Sequence, residues 1–138
     1  THGAIQGHAG IQAELQLWLR QGYLQQLLRD LEAAGFTIYL TSDHGNKECI
    51  GMGRVSYGVL VETKGERVRI YDDPVLYRER AEQFAAIKWS NTGLPDDSFS
   101  LIAQGNQAFT KAGQRIVSHG GISLEEVIVP FVQVTEMR

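Results

Sequence analysis

The stretch Leu31-Glu32-Ala33-Ala34-Gly35-Phe36-Thr37-Ile38-Tyr39-Leu40-Thr41-Ser42-Asp43-His44-Gly45 decides the fold class. Its first residues close a helical pattern that begins near Ile11. Ile11, Leu15, Trp18 and Leu19 share one face, and Leu24, Leu27, Leu28 and Leu31 continue it. Gln21-Gly22 breaks or kinks this helix, because glycine costs ~1 kcal/mol in a helix interior. Gly35 sits where a helix C-terminal glycine belongs. Phe36 to Thr41 is β-branched and aromatic without charge, so it reads as a buried strand. A helix running straight into a buried strand is half of a β-α-β unit, which predicts an α/β domain with a mostly parallel sheet. Ligands of such sheets gather beyond the carboxyl ends of the strands, where Ser42-Asp43-His44-Gly45 stands.

Downstream, Asn46 to Gly58 is glycine-rich and reads as a long loop. Tyr57 to Glu62 and Val68 to Tyr71 read as strands around a turn at Lys64-Gly65, an inserted hairpin. Asp73-Pro74 turns the chain into a helix over Val75–Trp89, and Ser90 to Ser98 is loop. Leu101 to Ala112 reads as a short helix or mixed segment. Gln114 to Val117 is a short strand leading into Ser118-His119-Gly120-Gly121. Ser123-Leu124-Glu125-Glu126 fits a capping box and starts a short helix. Val127 to Val134 is a strand whose Pro130 marks an edge or bulge.

Length and charge bound the function. The 138 residues suit one domain, and a net charge of −3 gives no field that draws nucleic acid or membrane by itself. No apolar run approaches the ~20 residues of a membrane span. The one cysteine, Cys49, forms no internal disulfide, which fits a reducing cytoplasm. A chain that opens on Thr-His-Gly-Ala reads as a piece of something longer.

Three histidine groups carry the candidate chemistry. In Asp43-His44 a carboxylate and an imidazole leave one tight turn, a donor pair suited to zinc, manganese or iron. The alternative is a polar turn with Asp43 as a cap and His44 on the surface. His119 follows a strand and precedes Gly120-Gly121, which permit close approach of backbone to a metal or a phosphate. Alone it reads equally as an exposed loop histidine. His2 and His8 are a third group, ligands or solvated terminal residues. His8 has Ala4 four residues before it, so no carboxylate partner there. Lys47, Arg54, Arg67 and Arg115 are candidate phosphate contacts whose default is solvation. Gly51-Met52-Gly53 lacks a nucleotide-loop ending, and nothing marks Cys49 as a nucleophile.

Taken together, Thr41-Ser42-Asp43-His44-Gly45-Asn46 resembles the metal-binding turn of the alkaline phosphatase superfamily. The run Ser118-His119-Gly120-Gly121-Ile122-Ser123-Leu124-Glu125-Glu126-Val127-Ile128-Val129-Pro130-Phe131 is similar to the closing motif of PglZ domains, a branch found in phage-defence systems and some response regulators. The resemblance implies a partial alkaline-phosphatase-like three-layer sandwich spanning residues 1–138 as the C-terminal portion of the domain. It implies a metal-dependent phosphatase or phosphodiesterase with two divalent metals, zinc or manganese. Asp43 and His44 would bind one metal. His119 would bind the other, with His8 or His2 as the early ligand. Lys47 and Arg115 would contact substrate, a phosphate ester such as a nucleotide or nucleic acid. The nucleophile and a further aspartate would come from strands upstream in the same polypeptide, so residues 1–138 alone are expected to be inactive. A different class of reading is a non-catalytic binding or scaffold module of a defence or signalling complex.

Overall fold

The computed structural model describes residues 7–54, 61–62, 65–90, 92–95 and 98–135. The helical pattern forms two helices, α1 (Gly7–Arg20) and α2 (Tyr23–Ala33), divided at Gln21-Gly22. The strand after them is β1 (Ile38–Thr41), of which only Ile38 is buried; Tyr39, Leu40 and Thr41 are exposed. Its partner is β9 (Phe131–Val134), paired antiparallel with Ile38 opposite Val134 and Thr41 opposite Phe131. Tyr39 and Phe131 stack across this ribbon with centroids 5.2 Å apart.

The mostly parallel sheet expected from the helix–strand junction is not what forms. Among the described residues three sheets occur, and the parallel pairing in them joins β2 (Lys47–Gly51) to β7 (Gln107–Ala108). The helix–strand junction held, but the β-α-β inference needs a parallel neighbour for β1, and the returning C-terminal strand takes that place in the opposite direction.

A second sheet sets β2 between β7 and β8 (Arg115–Ser118). The β2–β8 pair is antiparallel, with Lys47 opposite Ser118 and Ile50 opposite Arg115. Part of the predicted long loop is therefore strand. Its flanking glycines and two charges hid five residues that have a full ladder of partners.

The third sheet, in the order β3-β4-β6-β5, holds the main core. The hairpin of β3 (Val61–Glu62) and β4 (Val68–Tyr71) forms as expected, pairing Val61 with Tyr71. Residues 57–60 and Lys64 lie outside the described residues. Helix α3 (Pro74–Gln83) starts because Asp73 caps it, its Oδ1 accepting from the Val75 and Leu76 amides at 2.7 and 3.2 Å, with Pro74 in the first turn. It ends six residues before the predicted end. Ala86–Trp89 is instead β5, paired with β6 (Phe99–Ala103) from Ala86 opposite Ala103 to Trp89 opposite Ser100. Here tertiary pairing overrides local propensity. The segment read as helical or mixed from Leu101 is the central strand β6, with Ser100 to Ala103 all buried. Strands covered on both faces lose the alternation that identifies a strand. Tyr71, Phe84, Leu101, Ala103 and Phe109 form the core, Phe84 meeting Phe109 edge-on at 5.8 Å. No helix among the described residues is long and apolar enough to cross a membrane.

Candidate functional site

The register of β2 against β8 builds the site. Lys47 opens β2 and Ser118 closes β8, and the two are paired. The loop entering β2 and the loop leaving β8 therefore emerge at one end of this sheet. The first carries Asp43, His44 and Gly45; the second carries His119, Gly120 and Gly121. The result is direct contact: the His44 and His119 rings stack with centroids 3.8 Å apart and 13° between planes.

Each side chain has a local cause for its position. His44 Nδ1 lies 2.7 Å from the Gly45 carbonyl oxygen, which can only accept, so Nδ1–H donates there. Asp43 Oδ1 accepts from the His44 amide at 3.0 Å, while Oδ2 lies 3.8 Å from His44 Nε2. The Ser42 hydroxyl donates to the His44 carbonyl at 2.6 Å, tightening the turn. Gly45 donates its N–H to the Glu126 carbonyl at 2.8 Å. A Cβ there would sit 2.0 Å from the Glu125 carbonyl oxygen, so only glycine allows this approach. On the other side the capping box forms at the start of α4 (Leu124–Val127), with Glu126 reaching back to the Ser123 amide.

His8 does not join the stacked pair. Its Nε2 lies 3.1 Å from Asn46 Oδ1 and its Nδ1 3.9 Å from Glu48 Oε2, against the loop that follows Gly45. His2 lies outside the described residues. Lys47 is half-buried and donates to Glu125 Oε1 at 2.8 Å. That bond holds the exposed Glu125 carboxyl at a pKa of about 2. Arg115 enters β8 at the other end, ~13 Å along the strand from His119 at ~3.3 Å per residue. It lines a shallow cleft of about 320 Å³ with Glu48, Ile50 and Asn106. Among the described residues no three His, Cys, Asp or Glu side chains converge as a metal cluster.

Arg67 departs furthest from its sequence reading. Its guanidinium is buried, not solvated, and forks onto the Glu126 carboxylate through Nε–Oε1 at 3.0 Å and Nη2–Oε2 at 3.1 Å. The two residues are 59 positions apart, so no local pattern announces the pair.

The family model of the BREX system PglZ alkaline phosphatase-like domain matches residues 7–134, nearly the whole chain. The chain belongs to the PglZ family. The family is described from the BREX phage-defence system, within an alkaline-phosphatase-like superfamily that generally uses divalent metals. No curated protein and no solved structure matches the chain. In this PglZ domain the Asp43-His44 turn and the His119 loop meet at one sheet end, and Glu126, forked by Arg67, bonds to both through the Gly45 and Gly121 amides.

Proposed function

We propose that this PglZ domain supplies metal ligands to a phosphodiesterase or phosphatase site, with Asp43 and His44 on one divalent cation and His119 on a second. The observation that carries the reading is the stack of His44 on His119 beside Asp43. Two donors of one tetrahedral zinc stand ~3.3 Å apart when each bond is ~2.0–2.1 Å, close to the 3.8 Å between Asp43 Oδ2 and His44 Nε2. The Gly45 carbonyl fixes the His44 tautomer with Nε2 available, the outer-sphere partner that metal-bound histidines use. A bound divalent cation supplies Lewis acidity and lowers the pKa of a coordinated hydroxyl.

The protein's own residues orient and neutralise. Asp43, fixed by the His44 amide, presents a carboxylate oxygen to the same side as His44 Nε2. Lys47 is the cation nearest in sequence to that turn, and a phosphate oxygen would compete with Glu125 for it. Arg115 would reach only a substrate long enough to follow β8, such as a nucleic acid strand. The nucleophile and the remaining ligands come, on this reading, from upstream polypeptide.

The competing reading is a binding or scaffold module. Hydrolysis of bis(p-nitrophenyl) phosphate by the full-length polypeptide with Mn²⁺ or Zn²⁺ separates the two. Metal-dependent turnover that falls at least ~100-fold in Asp43→Ala supports the enzyme. Turnover that Asp43→Ala leaves unchanged removes Asp43 and the reading with it.

A further inference from the structure

We propose that Arg67 and Glu126 are positioning residues for the two stacked histidines, with Glu126 as the joint at which three separate segments are held. The proposal goes beyond the ligand assignment above and uses it only for its metal-binding arm.

The contacts converge on one residue. The Glu126 backbone carbonyl accepts the Gly45 N–H at 2.8 Å, so it holds the turn that carries Asp43 and His44. Its carboxylate holds the turn that carries His119: Oε1 accepts from the Gly121 amide at 2.9 Å, and Oε2 accepts from the Ser123 hydroxyl at 2.8 Å and the Ser123 amide at 3.3 Å. The same carboxylate takes the Arg67 fork, and Arg67 also donates to the Gln107 carbonyl on β7.

Arg67 brings the inserted hairpin with it. Ser118, the residue before His119, accepts the Glu66 amide on its hydroxyl at 2.9 Å. Gly65 lies so close to His119 that a Cβ on it would stand 2.5 Å from the His119 carbonyl oxygen. His119 is thus bounded by the hairpin on one side and by His44 on the other.

The charge pair is suited to this task rather than to raw stability. A buried ion pair must offset the desolvation of both ions, and apolar residues of equal volume often serve stability as well. What the pair adds is direction. A bidentate fork fixes both planes, and the rest of the carboxylate's acceptor capacity is used on the His119 turn, for the amides of Gly121 and Ser123 and the Ser123 hydroxyl. An amide or an ammonium cannot fill the same set of bonds.

The test uses the whole chain in three variants: Glu126→Gln, Arg67→Lys, and Leu101→Ala as a control that loosens the core cluster, of which neither histidine is a member. The imidazole ¹H–¹³C signals of His44 and His119 are read at fixed pH without metal, with His8 as internal reference, and Zn²⁺ affinity is read by calorimetry. The expected result is that Glu126→Gln and Arg67→Lys each shift the His44 and His119 signals and weaken Zn²⁺ binding ~10–100-fold. Leu101→Ala should lower the unfolding midpoint while leaving both readouts in place. Unmoved histidine signals in either site variant, or equal movement in Leu101→Ala, overturn the proposal. Should Glu126→Gln fail to fold, the milder Arg67→Lys decides alone. A wild-type chain that binds no Zn²⁺ counts against the metal-ligand reading, and the metal-free imidazole signals still decide the positioning role.

Discussion

Replacing Gly45 by alanine tests how the two loops are held together. The φ of Gly45 is not in the left-handed region, so alanine meets no conformational penalty, only contact. The new methyl would lie 2.0 Å from the Glu125 carbonyl oxygen and 3.0 Å from its carbon, both backbone atoms of the α4 turn. Reaching even a tight 3.0 Å requires roughly 1 Å of retreat, which stretches the Gly45–Glu126 hydrogen bond from 2.8 to about 3.8 Å. That bond is worth about 1 kcal/mol, and a forced backbone shift in a packed region costs about 1–3 kcal/mol. The expected loss is about 2–4 kcal/mol. Urea unfolding followed by tryptophan fluorescence measures it. Gly35→Ala is the comparison, since nothing lies within 4 Å of that position and only its φ of +81° opposes alanine, at about 1–2 kcal/mol. A Gly45→Ala loss under ~1 kcal/mol would refute the reasoning, because the Asp43 turn would then not be pressed against α4.

Two further outcomes follow from the charges. Burial pushes the Glu126 carboxyl up, but bonds from Arg67, Ser123 and Gly121 outweigh it and hold the pKa below its ordinary value. A depressed carboxylate contributes stability that is present above its unfolded pKa of ~4.3 and is lost as pH falls through the folded value. The urea midpoint should therefore fall steadily once pH drops below ~4.3, and Glu126→Gln should flatten that slope; an unchanged slope would sink the assignment. The exposed Glu125–Lys47 pair acts in the same direction, so the comparison belongs at high salt, where surface pairs are screened. Burial also pushes the Cys49 thiol up despite nearby Arg67, and the residue is fully buried. Iodoacetamide should leave it unmodified in the folded chain at neutral pH and alkylate it in urea; fast native labelling would contradict its buried place on β2.

What the sequence disclosed was local. The break at Gln21-Gly22, the turn into a helix at Asp73-Pro74, strand β4 and the box Ser123 to Glu126 are each written within a few neighbouring residues, and each stands where the pattern puts it. What escaped was set by distant partners. β5 and β6 are strands because they pair with one another and with β4, not because their residues alternate. The face of β4 shows the limit well. Alternation would turn Val68 and Ile70 inward, yet Arg67, Arg69 and Tyr71 occupy the buried side. They can do so because Glu126 meets one guanidinium, while Glu66 and the carbonyls of Gly65, Val68 and Phe109 meet the other. The Asp43, His44 and His119 motifs could be picked out as residue types, but their adjacency comes from the β2–β8 register, which no single segment encodes.

That register makes the histidine stack a vernier for folding. A slip of one residue between β2 and β8 would carry His119 ~3.4 Å, nearly one ring spacing, and turn its side chain to the opposite face. The smallest error the ladder permits is thus enough to unmake the pair. A chain that misaligns these strands cannot retain a partly working arrangement of the two rings, so correct strand alignment and a formed histidine pair are one event.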